Sequence, residues 1–321
     1  MTSQDTSHKI EHPIIAGYDP DATKGDCWFD QEAADRVIGF FRDCLTHVKG
    51  EDLAGKPFEL DNWQEDIVST MFGWKRKNDN TRRYRTAYVS VSRKNGKSTL
   101  AAGLALYMLC CDNEPGAEIV SAAAEREQAS IVFDIAAAMV DNEPVLRGCT
   151  QTFRKSIVKG TSSYKVLSAD AYTKHGLNLS CIIFDELHAQ QSRDLFDVLQ
   201  TSTGARKQPL TIAITTAGYD RNSICYEVHD YASKVRDGII KDESFLPVIY
   251  GVDDKADFKD PKIWAQANPG LGSSIRLDYL ETEAKKAAEL PSYENTFRRL
   301  HLNQWTEQAV RWLPMDRWDE A

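Results

Sequence analysis

A short segment of the chain has the residue types that bind a polyphosphate. Residues 92–99 have the sequence SRKNGKST, which directly follows a strand-like run and opens a helical pattern. Backbone N–H groups at a helix N-terminus favour phosphate oxygens, Lys97 would reach the β- and γ-phosphates, and the Ser98 hydroxyl would ligate Mg²⁺. Val91 replaces the first glycine of the P-loop pattern, so an ordinary strand-to-helix turn is the alternative that a second motif has to exclude. The phosphate-binding residues predicted here are Ser92, Arg93, Lys94, Asn95, Gly96, Lys97, Ser98 and Thr99.

The second motif is an apolar run that ends in two acidic residues. Residues 181–186 have the sequence CIIFDE. A buried strand ending in this way would place Asp185 beside the phosphate loop as a Mg²⁺ ligand, and Glu186 could orient and deprotonate the attacking water. His188 follows in the string DELH, where it could link the site to a DNA-binding loop or simply begin a helix. The two motifs together predict hydrolysis of ATP with Mg²⁺ as cofactor.

Two weaker elements are consistent with a nucleotide site. Upstream of the P-loop strand, Trp63 could stack on a base, and the Gln64 amide could pair with adenine N6 and N7. The alternative is that Trp63 is helix core and Gln64 a surface residue. Thr215 and Thr216 end a later strand, where small hydroxyl residues could sense the γ-phosphate. A plain strand end followed by a glycine turn would have the same sequence.

The order of elements predicts the fold class. Strand-like runs cover residues 86–92, 118–123, 164–169, 181–185, 211–216 and 247–252, and helical patterns cover 30–47, 63–74, 97–111, 125–140, 192–202 and 223–236. Such alternation predicts an α/β P-loop NTPase of the RecA/ASCE-like type, with a mostly parallel sheet flanked by helices. Beyond residue 268 the pattern is helical, as in 277–290 and 292–304. We therefore expect a flexible, poorly ordered arm at 1–27, the ATPase domain at 28–267 and a helical linker subdomain at 268–321.

Composition excludes several classes of protein. The chain has 321 residues, 42% hydrophobic and 27% charged, as in soluble globular proteins. We find no apolar run long enough to cross a bilayer and no secretory leader, and seven cysteines without a CxxC pair favour reduced thiols, so we expect no membrane association and a cytoplasmic protein. The net charge of −9 argues against a protein that coats nucleic acid, but a local basic patch is still possible. Basic residues cluster at 75–85, 154–159, 285–286 and 298–299.

With these motifs, the chain resembles the large terminase subunits of tailed bacteriophages, which drive DNA into procapsids. The resemblance extends over residues 28–318, and it rests on SRKNGKST, HGLNLSCIIFDELHA, ITTAG, PFELDNWQ and NPGLG. It implies a homo-oligomeric motor, a pentamer on the portal, that translocates double-stranded DNA in the host cytoplasm. Its implied partners are the portal protein and the small terminase subunit.

The resemblance also assigns roles to single residues. It implies that Arg93 points at the γ-phosphate, so Arg93, Lys97 and Glu186 become the predicted catalytic residues. Arg206 is conceivable as a finger acting on a neighbouring subunit. Family members carry a C-terminal nuclease domain with a carboxylate cluster, whereas this sequence ends at Ala321, where that domain would begin. We therefore expect ATPase activity but no DNA cleavage.

Two other function classes compete with this interpretation. The strings DELH and TTA are similar to motifs of superfamily-2-like DExH helicases, but too few residues follow Glu186 for a second RecA-like domain. A non-catalytic assembly protein could instead bind nucleotide as a structural switch. Glu186 argues against that class, because a switch has no need of a catalytic acid.

Overall fold

The computed structural model describes residues 12–50, 53–123, 126–168, 176–190 and 193–307. The strands are β1 (Cys27–Phe29), β2 (Trp74–Arg76), β3 (Thr86–Ser90), β4 (Glu118–Ala123), β5 (Gln151–Phe153), β6 (Ser156–Lys159), β7 (Ser162–Ser168), β8 (Cys181–Asp185), β9 (Leu210–Thr215) and β10 (Phe245–Ile249). The helices are α1 (Gln31–Cys44), α2 (Asn62–Gly73), α3 (Lys97–Cys110), α4 (Arg126–Asn142), α5 (Pro144–Cys149), α6 (Asp194–Thr201), α7 (Ile224–Arg236), α8 (Pro261–Ala267), α9 (Leu277–Glu289) and α10 (Pro291–His301).

Eight strands form one sheet in the order β10-β3-β9-β8-β4-β7-β6-β5. The first six of these are mutually parallel, and β6 and β5 add an antiparallel edge. The carboxyl ends of β3, β9 and β8 therefore lie side by side at one edge of the sheet, where open α/β sheets bind their ligands. The predicted α/β class is confirmed.

Helices cover both faces of this sheet. Adjacent residues of β3 point to opposite sides: Val89 packs in a core with α1 to α4, and Tyr88 packs in a second core with α6 and α7. β8 is buried along its whole length, as its continuous apolar sequence predicts for a central parallel strand. α3 is apolar on all sides because it lies between the sheet and α1. Even so, no helix in the described ranges has the length and composition to span a membrane.

Part of the predicted N-terminal arm is packed in the core that also contains α1 to α4. Ile15 and Tyr18 are each 1% exposed, and β1 pairs with β2. Arg83 holds this segment by donating to the carbonyls of Pro20 and Thr23 at 2.9 and 2.6 Å. The expectation of a poorly ordered arm is therefore wrong for residues 12–27, because a buried guanidinium is hydrogen-bonded to their backbone. Residues 1–11 lie outside the described part of the chain.

The basic cluster at residues 75–85 is not a continuous charged surface. Arg82 is buried and pairs with Asp112 at 2.7 Å, and Arg83 is buried against the N-terminal segment. The β5–β6 hairpin, which the sequence patterns did not predict, instead presents Arg154 and Lys155 in an exposed turn.

The C-terminal helices have an apolar core of their own. Residues from α8, α9 and α10 share it, including Trp264, Leu280 and Phe297. Val252 and Phe258 also belong to this core, although they precede the predicted boundary at residue 268. The position of that boundary remains a prediction, and α8 packs with the helices that follow it.

Candidate active site

The P-loop connects β3 to α3 with two residues in the left-handed region. Gly96 caps α3 with φ of 75°, a conformation that glycine adopts without strain, and Lys94 has φ of 71°. Ser92 and Asn95 are buried, whereas Arg93 and Lys94 are exposed. Val91, which replaces the usual first glycine, is buried in the core beneath the loop.

Lys97 is folded back into this loop. Its ammonium donates to the carbonyls of Val91 and Ser92 at 2.8 and 3.0 Å and to the Thr216 hydroxyl at 2.8 Å. Burial lowers the pKa of Lys97 to about 8, although the nearby carboxylates of Glu186 and Asp185 favour the charged form. A phosphate could take over hydrogen bonds that Lys97 now makes to the protein.

Asp185 and Ser98 meet at the end of β8. The Ser98 hydroxyl donates to Asp185 Oδ2 at 3.1 Å, and the buried Oδ1 has no hydrogen-bond partner among the described residues. Burial and the adjacent Glu186 charge raise the pKa of Asp185 to about 6. A hydroxyl and a carboxylate with a free oxygen fit Mg²⁺, which uses one or two carboxylates together with phosphate oxygens and water.

Glu186 has an unusual backbone conformation directly after the strand. Its φ and ψ are 54° and 53°, a left-handed geometry that is rare outside glycine and that often marks functional sites. Burial would raise the pKa of Glu186, but the close approach of His188 and the positive charges of Lys97 and Arg93 lower it to about 2. The carboxylate is therefore ionised at any physiological pH.

His188 connects Glu186 to the end of β9. It lies in a short 3-10 helix, with Nδ1 located 3.1 Å from Glu186 Oε2 and 3.2 Å from the Thr215 hydroxyl. The backbone N–H of His188 also donates to that hydroxyl, at 3.0 Å. The sequence alone left the role of His188 undecided, and only the string DELH pointed to it.

The predicted base-binding residues lie beside the loop, but both are packed. Trp63 is 7% exposed and meets the Tyr250 ring edge-on. Gln64 accepts a hydrogen bond from the Asp61 backbone at 3.1 Å as part of a capping box for α2, which uses the carbonyl that adenine N6 would need. Gln64 also lies beside the P-loop, because a Cβ added to Gly96 would lie 3.4 Å from Gln64 Nε2. Their predicted roles in base binding remain predictions.

Thr99, the last of the predicted phosphate-binding residues, is half-buried in the first turn of α3.

Comparison with known proteins identifies the family. Residues 62–234, more than half of the chain, match the family model for the terminase large subunit, ATPase domain. The chain belongs to the terminase large subunit family. It is 33% identical over 293 residues to the terminase large subunit of Enterobacteria phage HK97, covering 89% of this chain and 56% of that protein. It is 26% identical over 237 residues to the terminase large subunit of Lactococcus phage p2, covering 71% and 44%.

A solved structure shows the same relationship. The crystal structure of the HK97 bacteriophage large terminase matches with a TM-score of 0.74 and 32% identity, covering 85% of this chain and 55% of that one. This terminase chain thus spans about half the length of these relatives. The resemblance inferred from its motifs is confirmed, and both relatives are terminases rather than helicases.

A second family model changes one expectation. The model for the terminase large subunit, endonuclease domain, matches residues 239–321. This match contradicts our expectation that the C-terminal nuclease domain is absent, which we drew from the end of the sequence at Ala321 and the lack of a carboxylate cluster before it. Within residues 239–307 the structure has β10, which pairs with β3 in the main sheet, followed by α8, α9 and α10.

The terminase P-loop is in contact with this C-terminal region. The Arg93 N–H donates to the Leu300 carbonyl at 2.9 Å, and the Ser92 hydroxyl donates to the His301 carbonyl at 3.0 Å. Asn95 donates to Asn268 Oδ1 at 3.2 Å. In the sequence, NPGLG stood out only as a family string, and nothing in it indicated that its first residue reaches the loop.

Arg206 is bonded to groups of its own chain. It lies at the amino-terminal edge of the sheet, opposite the P-loop, and donates to the carbonyls of Asn178 and Gly116, both at 2.8 Å. Its guanidinium also lies 3.3 Å from Glu114. These partners engage Arg206 within its own chain, and its role as a trans-acting finger remains a prediction.

Proposed function

We propose that this terminase chain is an ATP-hydrolysing motor that moves double-stranded DNA into a procapsid. The observation that carries the proposal is the convergence of Lys97, Ser98, Asp185 and Glu186 at the ends of adjacent parallel strands. These are the residue types that bind phosphate, hold Mg²⁺ and position water in P-loop NTPases.

The proposed roles follow from the geometry. The P-loop N–H groups and Lys97 bind the phosphates, and Ser98 and Asp185 would hold Mg²⁺, which neutralises phosphate charge when bound. Glu186 accepts a hydrogen bond from the attacking water and orients it, since a carboxylate with a pKa of about 2 is a weak base. Arg93, exposed at the mouth of the loop, would stabilise charge on the γ-phosphate.

The loss of the γ-phosphate would be transmitted to the rest of the chain through the residues at the end of β9. Thr216 contacts Lys97, and Thr215 contacts His188, so both threonines are linked to groups that would change partners when the γ-phosphate leaves. The Ala217 N–H donates to Asn303 Oδ1 at 2.7 Å, which connects this strand end to the C-terminal region. We infer that nucleotide state is relayed to that region along this route.

Duplex DNA would be bound through its phosphates. Arg154 and Lys155 form the exposed turn of the β5–β6 hairpin, and neither makes an ion pair within the described ranges. Phosphate contacts of this kind give affinity without reading sequence. We further propose that the terminase chain works as a homo-oligomer in the host cytoplasm, a pentamer on the portal, with the portal protein and the small terminase subunit as partners.

The test of the proposed function is ATP hydrolysis by the purified chain, with and without duplex DNA. Lys97→Ala and Glu186→Gln should each abolish turnover, and Glu186→Gln should still bind ATP. The exposed residues Lys262 and Glu227 provide matched controls, because Lys262→Ala and Glu227→Gln should retain wild-type rates. Normal hydrolysis by the Lys97→Ala protein would refute the P-loop assignment.

Two further measurements separate the alternatives. A helicase would unwind a duplex during hydrolysis, whereas a packaging motor would translocate along it without strand separation. Because residues 239–321 match the endonuclease model, cleavage of supercoiled plasmid with Mg²⁺ or Mn²⁺ should be measured directly. Nicked plasmid that depends on this chain would show nuclease activity, and intact plasmid would agree with the expectation of no DNA cleavage stated from the sequence.

A further inference from the structure

Two adjacent arginines on α10 have very different surroundings. Arg298 donates to Glu294 at 2.8 Å and to Gln304 at 3.2 Å, and it lies over the Phe258 ring. Arg299 lies over the Tyr219 ring, 5.3 Å from its centroid. Its buried Nη1 has no hydrogen-bond partner in the described part of the chain. Arg298 thus has a structural explanation, whereas Arg299 has an unused donor.

Arg299 directly precedes two residues that contact the P-loop. The next two residues, Leu300 and His301, accept hydrogen bonds from the backbone of Arg93 and the side chain of Ser92 in the P-loop. Tyr219, which lies beneath the Arg299 guanidinium, directly follows Gly218. A Cβ added to Gly218 would lie 3.6 Å from His188 Cβ. The guanidinium therefore covers a residue that follows the glycine packed against His188, and the backbone after Arg299 contacts the P-loop.

The electrostatics of this position favour an anion. A buried donor without an acceptor costs free energy, and hydrogen bonds to charged groups are the ones that best offset such a cost. Burial lowers the pKa of Arg299, Tyr219 acts in the opposite direction, and the nearby charge of Arg93 lowers it further. Two guanidinium groups near one another, with no carboxylate bound to Arg299 in the described residues, form a site whose chemistry fits a phosphate group.

We propose that Arg299 binds the γ-phosphate of ATP in its own subunit, from the helical C-terminal region. This inference rests on the proposed function, because it needs a nucleotide in the P-loop. It deepens that proposal by giving α10 a direct contact with the one phosphate group that distinguishes ATP from ADP. The position of α10 would then depend on which nucleotide is bound. Since phosphate groups also occur in DNA, the test has to distinguish the two sources.

The experiment compares the affinities of fluorescent ATPγS and ADP analogues for the wild-type chain and for Arg299→Ala, Arg299→Lys and Arg298→Ala. Arg299→Ala should weaken ATPγS binding about ten- to a hundredfold and leave ADP binding unchanged, because one charged hydrogen bond is lost. Arg299→Lys should lose less, since it keeps the charge. Arg298→Ala, the matched control, should keep the wild-type ratio of the two affinities.

Several results would overturn the inference. They are an unchanged affinity ratio in Arg299→Ala and Arg299→Lys, an equal loss for both nucleotides, and a loss of duplex DNA affinity alone, which would assign the phosphate to DNA. If Arg299→Ala does not fold, the ratio of ATPγS affinity to ADP affinity in Arg299→Lys alone tests the inference. Failure of the proposed function is a separate result: the wild-type chain would then bind neither nucleotide, or Lys97→Ala would bind both normally.

Discussion

The Lys97 ammonium and the Thr216 hydroxyl are joined by a hydrogen bond of 2.8 Å across the ends of β3 and β9. The same hydroxyl donates to the Val91 carbonyl at 3.3 Å, so Thr216 links both sides of the P-loop base. Any ligand that draws Lys97 towards a phosphate changes the partners of Thr216. This pair is therefore a direct connection between the nucleotide site and β9.

We predict that Thr216→Val lowers the free energy of unfolding by about 1–2 kcal/mol, because a buried ammonium loses an acceptor. In a Lys97→Met background the same substitution should cost clearly less, since only the bond to the Val91 carbonyl remains to be lost. Urea denaturation of the four proteins in this double-mutant cycle measures the coupling. Thr282→Val, at an exposed position on α9, should change stability by less than about 0.5 kcal/mol. Equal costs in both backgrounds would disprove the coupling.

Two helical glycines should respond differently to alanine. At Gly103 in α3, a Cβ would lie 2.3 Å from Phe41 Cε1, so Gly103→Ala should destabilise the fold by about 1–3 kcal/mol through overpacking. At Gly148 in α5, a Cβ would meet nothing within 4 Å. Gly148→Ala should be neutral or stabilising by up to about 1 kcal/mol, because alanine favours helix. Thermal or urea denaturation of both variants tests this contrast, which a similar loss at the two sites would contradict.

The buried pair Arg82 and Asp112 should matter far more than an exposed pair. Their side chains are 1% and 7% exposed, and Asp112→Ala would leave a guanidinium buried without its charge partner. We expect a loss of about 3–5 kcal/mol in the free energy of unfolding. The control is Asp43→Ala, which removes an Arg42 pair whose side chains are both 59% exposed and should cost far less, because water screens exposed charges. Comparable losses for the two variants would show that burial does not determine how much an ion pair contributes to the stability of this fold.

Stability should fall with acid because of two buried histidines. Burial lowers the pKa of His229 and of His301 from 6.5 to about 4. As pH falls through this window, the unfolded chain takes up these protons before the folded chain does, so the free energy of unfolding decreases and is largest above the window. His229→Gln and His301→Gln should each flatten the profile between about pH 6.5 and pH 4. The contribution of carboxylates that titrate in the same range cancels when each variant is compared with the wild type. If the free energy of unfolding of both variants changed with pH in parallel with that of the wild type, the lowered histidine pKa values would be refuted.

Local sequence was enough for the framework of the site. The apolar run before Asp185, the GKS triplet and the alternation of strands with helices predicted the parallel sheet and its functional edge. These features depend on the conformational preferences of neighbouring residues, which a single sequence displays directly. The predicted strand at residues 118–123 and the one ending at Asp185 agree with the structure at both ends.

The tertiary structure decided what each side chain contacts. It placed Arg206 in a network at the amino-terminal edge of the sheet, used the Gln64 side-chain carbonyl to cap α2, and brought Leu300 to the P-loop from the far end of the chain. It also buried Arg82 and Arg83, which sequence alone presents as a charged run. Such contacts join residues that are distant in sequence, so the local pattern of apolar and polar residues cannot predict them. They are set by the order of strands in the sheet and by the packing of the C-terminal helices against its carboxyl edge.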